Sequence, residues 1–243
     1  GAINVSISDL IAKINDGSIP LDENVVNVCY TGQNASVATS IINLLGGDAQ
    51  NLKFAMCGVT NDVNNVPKTD RWDLQIAEDE FTPVKTGPGA PTTTYAFPNP
   101  NTGQNTASDI IKANFANVLA GWGKTAADVM ANGGDYHIMN YWGADDYNNI
   151  GHHEGAYQYT PKTSVQSDGL LNTLPTDKPV IVYCWTGQTS AQLVAYLRVL
   201  GYDAYSMYYG MNGCSFTSLP DGKPKYHAPD PSDKFNSVLV ATP

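Results

Sequence analysis

One cysteine stands where α/β proteins usually bind their ligands, within the stretch 180–191. The β-branched and aromatic run before Cys184 predicts a buried strand that ends at this residue. Gly187 allows a tight turn around the sulfur, and Thr189 or Ser190 is expected to cap the helix that follows. In parallel α/β sheets, ligands bind at the carboxyl ends of the strands. Backbone N–H groups of the turn and the positive end of the helix would favour the thiolate, the nucleophilic form of cysteine.

The same pattern occurs a second time, 155 positions earlier in the chain. Val-Val-Asn-Val-Cys-Tyr-Thr-Gly-Gln-Asn at 25–34 aligns with Val-Ile-Val-Tyr-Cys-Trp-Thr-Gly-Gln-Thr at 180–189. A second register, with an offset of 154, pairs Gly1-Ala2 with Gly155-Ala156. The 155-residue offset continues without a gap through Gly46/Gly201, Asp48/Asp203, Ala49/Ala204, Met56/Met211 and Gly58/Gly213. Self-similarity of this kind indicates a duplicated domain.

These residues carry a family resemblance. Cys-x-x-Gly-x-[Thr/Ser], then Leu-Gly-Tyr-Asp-Ala and Gly-Met-Asn-Gly, resembles the active-site half of a rhodanese-like sulfurtransferase domain. Upstream, Asp145-Asp146-Tyr147, Gly151-His152 and Gly155-Ala156 resemble the Asp-Tyr…Gly-His-Ile-x-Gly-Ala segment of that family. The resemblance covers about residues 125–215 well and residues 1–60 incompletely. It implies an α/β protein with two rhodanese-like domains, each a mostly parallel sheet flanked by helices.

The resemblance also implies a reaction and a set of roles. The family's cysteine accepts a sulfane sulfur as a persulfide and passes it to a thiophilic acceptor, so the chain is expected to be a sulfurtransferase with Cys184 as nucleophile. N–H groups of the loop would stabilise the anionic sulfur. The expected cradle consists of Trp185, Thr186, Gly187, Gln188, Thr189 and Ser190. Cys29 is its possible counterpart, with a second loop formed by Tyr30, Thr31, Gly32, Gln33 and Asn34. His152 is expected to be a structural hydrogen-bonding residue.

The sequence departs from the family pattern in two ways that bear on the substrate. Asn140-Tyr141-Trp142 replaces the family's Asp-Val-Arg, and neither cysteine loop contains Lys or Arg. A loop without cations binds a dianion such as thiosulfate poorly. Thiosulfate is therefore a doubtful donor, and a persulfide on a small thiol or on a partner protein fits at least as well. A non-catalytic binding or scaffold protein is the alternative. A phosphatase is disfavoured because no Arg follows the loop before Arg198.

Composition excludes several other classes. The net charge of −10 argues against nucleic acid as a partner. No apolar run reaches the length of a membrane span. The four cysteines have no metal-binding spacing, and neither a metal nor a cofactor is expected. Richness in Asn, Thr, Gly and Pro with few Lys favours an extracytoplasmic bacterial protein.

The chain is expected to divide into three parts. Residues 1–60 would form an incomplete rhodanese-like domain, residues 61–104 an extended connector rich in Pro, Gly and Asn, and residues 105–243 a complete domain with a C-terminal tail. The expected helices are 8–15, 35–45, 107–119, 125–130 and 191–200. The expected strands are 1–5, the run ending at Cys29, 52–56, 93–97, 136–140, the run ending at Tyr159, 180–183, and a strand-like run at 238–240.

Two further hypotheses concern the first domain and the other cysteines. In the family's sheet, a strand like that at 136–140 lies between the Gly-Ala strand and the cysteine strand, and the first unit lacks its counterpart. A segment preceding Gly1 or a strand donated from residues 237–242 is expected to fill the gap, because unpaired buried backbone groups are rare. Cys57 and Cys214 follow the next strand in each unit and are candidate resolving thiols or disulfide partners for Cys29 and Cys184.

Overall fold

The computed structural model describes residues 1–64, 66–76 and 82–229. Within these residues the helices are α1 (Leu10–Asn15), α2 (Gln33–Leu44), α3 (Ala107–Leu119), α4 (Ala126–Ala131), α5 (Ala144–Asn149) and α6 (Gln188–Val199). The strands are β1 (Asn24–Asn27), β2 (Asp48–Asn51), β3 (Gly123–Lys124), β4 (His137–Tyr141), β5 (Tyr157–Tyr159), β6 (Val180–Tyr183) and β7 (Ala204–Met207). In this part of the chain no helix is long and apolar enough to cross a membrane.

Five strands form one parallel sheet in the order β3-β7-β6-β4-β5. Helices pack on both of its faces, so the predicted α/β class with a parallel sheet flanked by helices is confirmed. β6 occupies the middle of the sheet, and its four residues are fully buried. Val180 and Val182 face the cluster that contains α3 and α6, whereas Ile181 and Tyr183 face the cluster that contains α4 and α5. A strand covered on both faces needs apolar residues at every position, as this run has.

The first 60 residues form a smaller unit around a two-stranded parallel sheet, β1-β2. Its helix α2 packs along α6 of the second unit, and both helices contribute to one hydrophobic cluster. Among the residues that the structure describes, none forms such a layer on the other face of the small sheet. Val26 and Val28 are 58% and 47% exposed, whereas Ile181 and Tyr183, their counterparts in the 155-residue repeat, are 0% exposed.

The repeat seen in the sequence is also present in the backbone. α2 and α6 begin and end 155 positions apart, and so do the 3₁₀ turns Ala55–Gly58 and Gly210–Gly213. In each unit a methionine N–H donates to the cysteine carbonyl: Met56 to Cys29, and Met211 to Cys184, both at 3.0 Å. The two units therefore share a strand–loop–helix–strand–turn motif.

Several predicted elements do not form as expected. Residues 1–5 and 93–97 are not strands, and the predicted strand at 52–56 is wrong because the strand β2 lies earlier. The Asn43 side chain explains the shift, since it accepts from the Ala49 N–H and donates to the Ala49 carbonyl, which fixes the chain directly after α2. The expected neighbour of β1 is not among the described residues, and the runs 237–242 and 238–240 lie outside them.

The described residues of the segment 61–104 are largely irregular but contribute to the core. Trp72 is fully buried, and its indole N–H donates to the Thr31 carbonyl at 3.1 Å. Its ring contacts Phe54 and Tyr209 edge-on and stacks on Tyr226. The segment thus supplies an aromatic side chain that packs between the 3₁₀ turns of the two units.

Candidate active site

Cys184 directly follows the central strand β6, and the chain then turns into α6. The turn depends on Gly187, which has a left-handed φ of +73° and is the N-cap of the helix. The helix begins at Gln188 rather than at residue 191. The expected cap by Thr189 or Ser190 is wrong, because both residues already lie in the first turn of the helix and the N-cap residue is Gly187.

The sulfur of Cys184 is held by the first turn of α6. The backbone N–H of Ser190 donates to Sγ at 3.3 Å, and the Ser190 hydroxyl lies 3.5 Å from Sγ. That hydroxyl is in turn 2.8 Å from the hydroxyl of Ser206 on β7. N–H donors at a helix start are well placed for a negatively charged sulfur. Ser206 was not anticipated, although it is the repeat counterpart of Asn51, which also borders the site.

A second layer of backbone supports the loop from behind. The N–H groups of Met211 and Asn212 donate to the carbonyls of Cys184 and Trp185 at 3.0 and 3.1 Å. The Asn212 side chain donates to the same Trp185 carbonyl at 2.7 Å. At Gly210 a Cβ would lie 2.1 Å from the Cys184 carbonyl oxygen, so only glycine fits there. The turn that follows β7 therefore fixes the backbone of the cysteine loop.

Cys184 borders a pocket of about 430 Å³ that lies between the two units. From the expected cradle, the pocket is bordered by Trp185, Thr186, Gln188 and Thr189, but not by Gly187 or Ser190. The opposite wall comes from the first unit, which the sequence did not indicate. Lys53 is the only charged residue among the described residues around the pocket, which are Ser36, Thr39, Asn43, Ala49, Gln50, Asn51, Lys53, Cys184, Trp185, Thr186, Gln188, Thr189, Gln192 and Pro224.

Trp185 forms the aromatic side of the site. Its ring stacks on that of Trp142, with the centroids 4.0 Å apart and the planes within 12°. The ammonium group of Lys223 lies 5.8 Å from the Trp185 ring centroid and pairs with the carboxylate of Asp146 at 2.7 Å. Because Asp146 compensates this lysine, it adds little net positive charge to the pocket.

The Cys29 loop has the same shape as the Cys184 loop but different surroundings. Its sulfur accepts from the N–H groups of Gly32 and Ala35 at 3.1 and 3.5 Å, and Cys29 is half-buried rather than buried. Tyr30 and Asn34 are exposed, whereas Thr31 is buried. Gln33 is also buried, but its side-chain oxygen accepts from the Tyr209 N–H in the other unit. The second loop is therefore not an isolated cradle for Cys29.

The remaining cysteines, Cys57 and Cys214, are buried, and their thiols donate hydrogen bonds to backbone carbonyls. All four cysteines lie in described residues and are free thiols, so the pairings proposed as disulfides are not formed. The Cys57 thiol donates to the Lys68 carbonyl at 3.6 Å, and the Cys214 thiol to the Gly210 carbonyl at 3.4 Å. Burial raises the pKa of Cys57, which disfavours the thiolate that a resolving role requires.

An uncharged network occupies the place where the family pattern has Asp and Arg. The Asn140 amide donates to the Tyr183 hydroxyl at 2.8 Å, and that oxygen also accepts from the His153 N–H at 2.8 Å. Desolvation raises the pKa of Tyr183, so the phenol stays neutral. His152 stacks on Tyr147, and its Nδ1 lies 2.9 Å from the Tyr147 carbonyl oxygen. These hydrogen bonds and ring contacts pack the buried side chains against the sheet, which is a structural role.

Comparison with known proteins identifies one domain. Residues 125–215 match the model of the rhodanese-like domain family, and the match does not include residues 1–60. One rhodanese-like domain is thus present, whereas the predicted tandem pair is not confirmed. A solved structure described as the crystal structure of a probable thiosulfate sulfurtransferase aligns with 81% of this chain and 71% of its own, at 17% identity and a TM-score of 0.37. So low a score defines neither the fold nor the substrate. Among curated proteins none matches this chain in sequence.

Proposed function

We propose that this protein is a sulfurtransferase that carries sulfane sulfur as a persulfide on Cys184. The observation that carries the proposal is the position of the Cys184 sulfur: it accepts the Ser190 N–H at the start of α6, and the residue borders an open pocket. A helix start stabilises a thiolate before the reaction and a persulfide anion after it. The family match over residues 125–215 supports the same class of activity.

The reaction needs no external oxidant or reductant. The Cys184 thiolate attacks the outer sulfur of a donor persulfide R–S–S⁻, a new S–S bond forms, and the donor's own S–S bond breaks to release RS⁻. An acceptor thiolate then attacks the outer sulfur on Cys184, takes it as a new persulfide, and leaves the Cys184 thiolate. Each step exchanges one S–S bond for another, so electrons and charge balance.

The pocket favours an uncharged or amide-bearing sulfur carrier over a small dianion. Its described lining is polar but mostly neutral, with Lys53 as the single charged residue. A dianion such as thiosulfate would lose its hydration without gaining paired cations, which is unfavourable. We therefore expect a persulfide on a small thiol or on a protein to be a better donor than thiosulfate.

The first unit supplies a wall of the site as well as a second cysteine. Residues 1–60 would be an incomplete copy of the rhodanese-like domain, joined through residues 61–104 to a complete copy at 105–243. Cys29, with two N–H donors on its sulfur, would be a second sulfur acceptor of lower importance. The alternative is a non-catalytic scaffold that keeps the fold. It is supported by the low exposure of Cys184, which is 3%.

The test is to load the protein with sulfur and locate it. Purified wild type, Cys184→Ser and Cys29→Ser proteins are incubated with a small-thiol persulfide or with thiosulfate, and then analysed for cyanolysable sulfur and by peptide mass spectrometry. We expect wild type and Cys29→Ser to gain one sulfur atom on Cys184, faster from the persulfide. Sulfur that persists in Cys184→Ser and vanishes in Cys29→Ser would assign the activity to Cys29. A wild type that gains no sulfur from either donor would favour the scaffold.

A further inference from the structure

Each cysteine loop is followed by a glutamine whose side chain reaches into the other unit. Gln33 and Gln188 are the first residues of α2 and α6, and they are 155 positions apart. The side-chain oxygen of Gln33 accepts from the Tyr209 N–H at 3.0 Å, and that of Gln188 accepts from the Phe54 N–H at 3.1 Å. Phe54 and Tyr209 are also 155 positions apart, so the two contacts are reciprocal.

The contacts hold two residues in an unusual backbone conformation. Phe54 and Tyr209 have φ values of +59° and +62°, a left-handed region that bulky residues rarely adopt. Gln33 and Gln188 are only 4% and 6% exposed. A backbone N–H is always a donor, so the amide oxygen of each glutamine must face it. Each buried hydrogen bond thus favours a turn that the local sequence would not adopt readily.

The turn held by Gln33 is the one that supports the Cys184 loop. Tyr209 directly precedes Gly210–Gly213, whose N–H groups bind the carbonyls of Cys184 and Trp185. Gln33 also touches the loop itself. A Cβ on Gly187 would lie 2.8 Å from the Gln33 side-chain oxygen and 2.6 Å from the Tyr209 nitrogen. A side chain from the Cys29 loop therefore fixes the backbone around the other cysteine.

We propose that Gln33 is a positioning residue for Cys184, acting through Tyr209 and Gly187, so that sulfur transfer at Cys184 requires the first unit. The inference rests on the proposed sulfurtransferase function and deepens it. Gln33 is not a hydrogen-bond partner of the reacting sulfur, and it is not among the described residues that line the pocket. Its loss should slow the chemical step by displacing the loop N–H groups, while substrate binding on the opposite wall is retained.

The experiment is done in a Cys29→Ala background, so that all sulfur transfer occurs at Cys184. Gln33→Met keeps the side-chain length but removes the acceptor, whereas Gln33→Glu keeps an oxygen that can accept from Tyr209. Gln104→Met, at an exposed glutamine, is the matched control. With a small-thiol persulfide as donor, we expect Gln33→Met to lower kcat on the order of 10-fold with KM within about twofold. Gln33→Glu should recover most of kcat, and Gln104→Met should equal the parent.

Hydrogen exchange of the peptide that contains residues 209–213 gives a readout independent of catalysis. Gln33→Met should exchange faster there than the parent. If Gln33→Glu fails to fold and the rescue cannot be measured, this exchange comparison tests the proposal in its place. Parent-like kcat and exchange in folded Gln33→Met would overturn the proposal, and so would a change in KM alone. If the Cys29→Ala parent itself transfers no sulfur, the proposed function at Cys184 has failed, and the exchange result still tests the contact.

Discussion

The hydroxyl of Ser190 lies 3.5 Å from the sulfur of Cys184 and connects it to a short chain of hydrogen bonds between the start of α6 and β7. The Cys184 thiol can donate to Ser190, Ser190 to Ser206 at 2.8 Å, and Ser206 to the Gly187 carbonyl at 3.4 Å. If the sulfur becomes anionic, the Ser190 hydroxyl can turn and donate to it, while Ser206 donates either to Ser190 or to Gly187. This chain of hydrogen bonds therefore accommodates both the thiol and the anionic form of the sulfur.

Replacing Ser190 by Ala should destabilise the anionic form of the Cys184 sulfur, because the hydroxyl donor is lost while the backbone N–H donor remains. A hydrogen bond to a charged group contributes roughly 1.5–3 kcal/mol, so we expect persulfide formation on Cys184 to slow by about 10-fold to 150-fold. Stopped-flow measurement of thiol release from a persulfide donor checks this. The first unit already has Ala35 at the equivalent position, and Ala35→Ser should leave the rate at Cys184 unchanged. An unaltered rate in Ser190→Ala would show that the hydroxyl plays no part.

Gly187→Ala should disturb the site more than an ordinary glycine substitution. The residue has φ +73°, and a Cβ would lie 2.6 Å from the Tyr209 nitrogen. Gly155 has a similar φ of +77° but open space around it, so Gly155→Ala measures the backbone strain alone. We expect about 1 kcal/mol of destabilisation for Gly155→Ala and a clearly larger loss for Gly187→Ala in urea unfolding. Equal losses would mean that the loop can move away from Tyr209.

The second unit could be predicted from sequence because its local signals agree with its tertiary environment. The run 180–183 is apolar at every position, as its burial on both faces requires, and the 107–119 helix has the predicted bounds. The site cysteine was placed correctly after β6 for the same reason. The local sequence pattern was sufficient to predict an element wherever the burial of that element alone determined its structure.

The errors fall where a distant contact decides the structure. Residues 52–56 look like a strand, but Phe54 has a left-handed φ and binds Gln188 from the other unit. Trp72 lies in a stretch whose Asn, Pro and Gly indicate a loop, and only packing against both 3₁₀ turns makes it a core residue. The pocket wall contributed by α2 and β2 likewise depends on how the units pack, which no local pattern encodes.

Equivalent positions in the two units should differ strongly in their contribution to stability. Ile181 is fully buried beneath α4, whereas its repeat counterpart Val26 is 58% exposed. Ile181→Ala should cost about 2–5 kcal/mol by removal of core packing, and Val26→Ala less than about 0.5 kcal/mol. Chemical denaturation of the two variants measures the difference. A large loss for Val26→Ala would indicate that a further segment, of this chain or of another, covers this face of β1 in solution.

Acid should destabilise the fold partly through His137. Burial lowers the pKa of His137 from 6.5 to about 4, and Lys178 adds a smaller repulsion. Between these values the unfolded chain binds a proton that the folded chain does not, so stability falls as the pH drops from about 6.5 towards 4. The expected loss attributable to His137 between pH 7 and pH 5 is about 2 kcal/mol.

The variant His137→Phe removes the titrating group but keeps a ring to stack on Tyr157, whose centroid lies 4.8 Å away. Tyr159 loses its contact with His137 but retains the Thr173 hydroxyl at 2.9 Å. Unfolding free energies at pH 7 and pH 5 should therefore differ less in the variant than in the wild type. A residual difference is expected, because burial also lowers the pKa of His152. Identical pH dependence in the two proteins would show that His137 does not resist protonation in the fold.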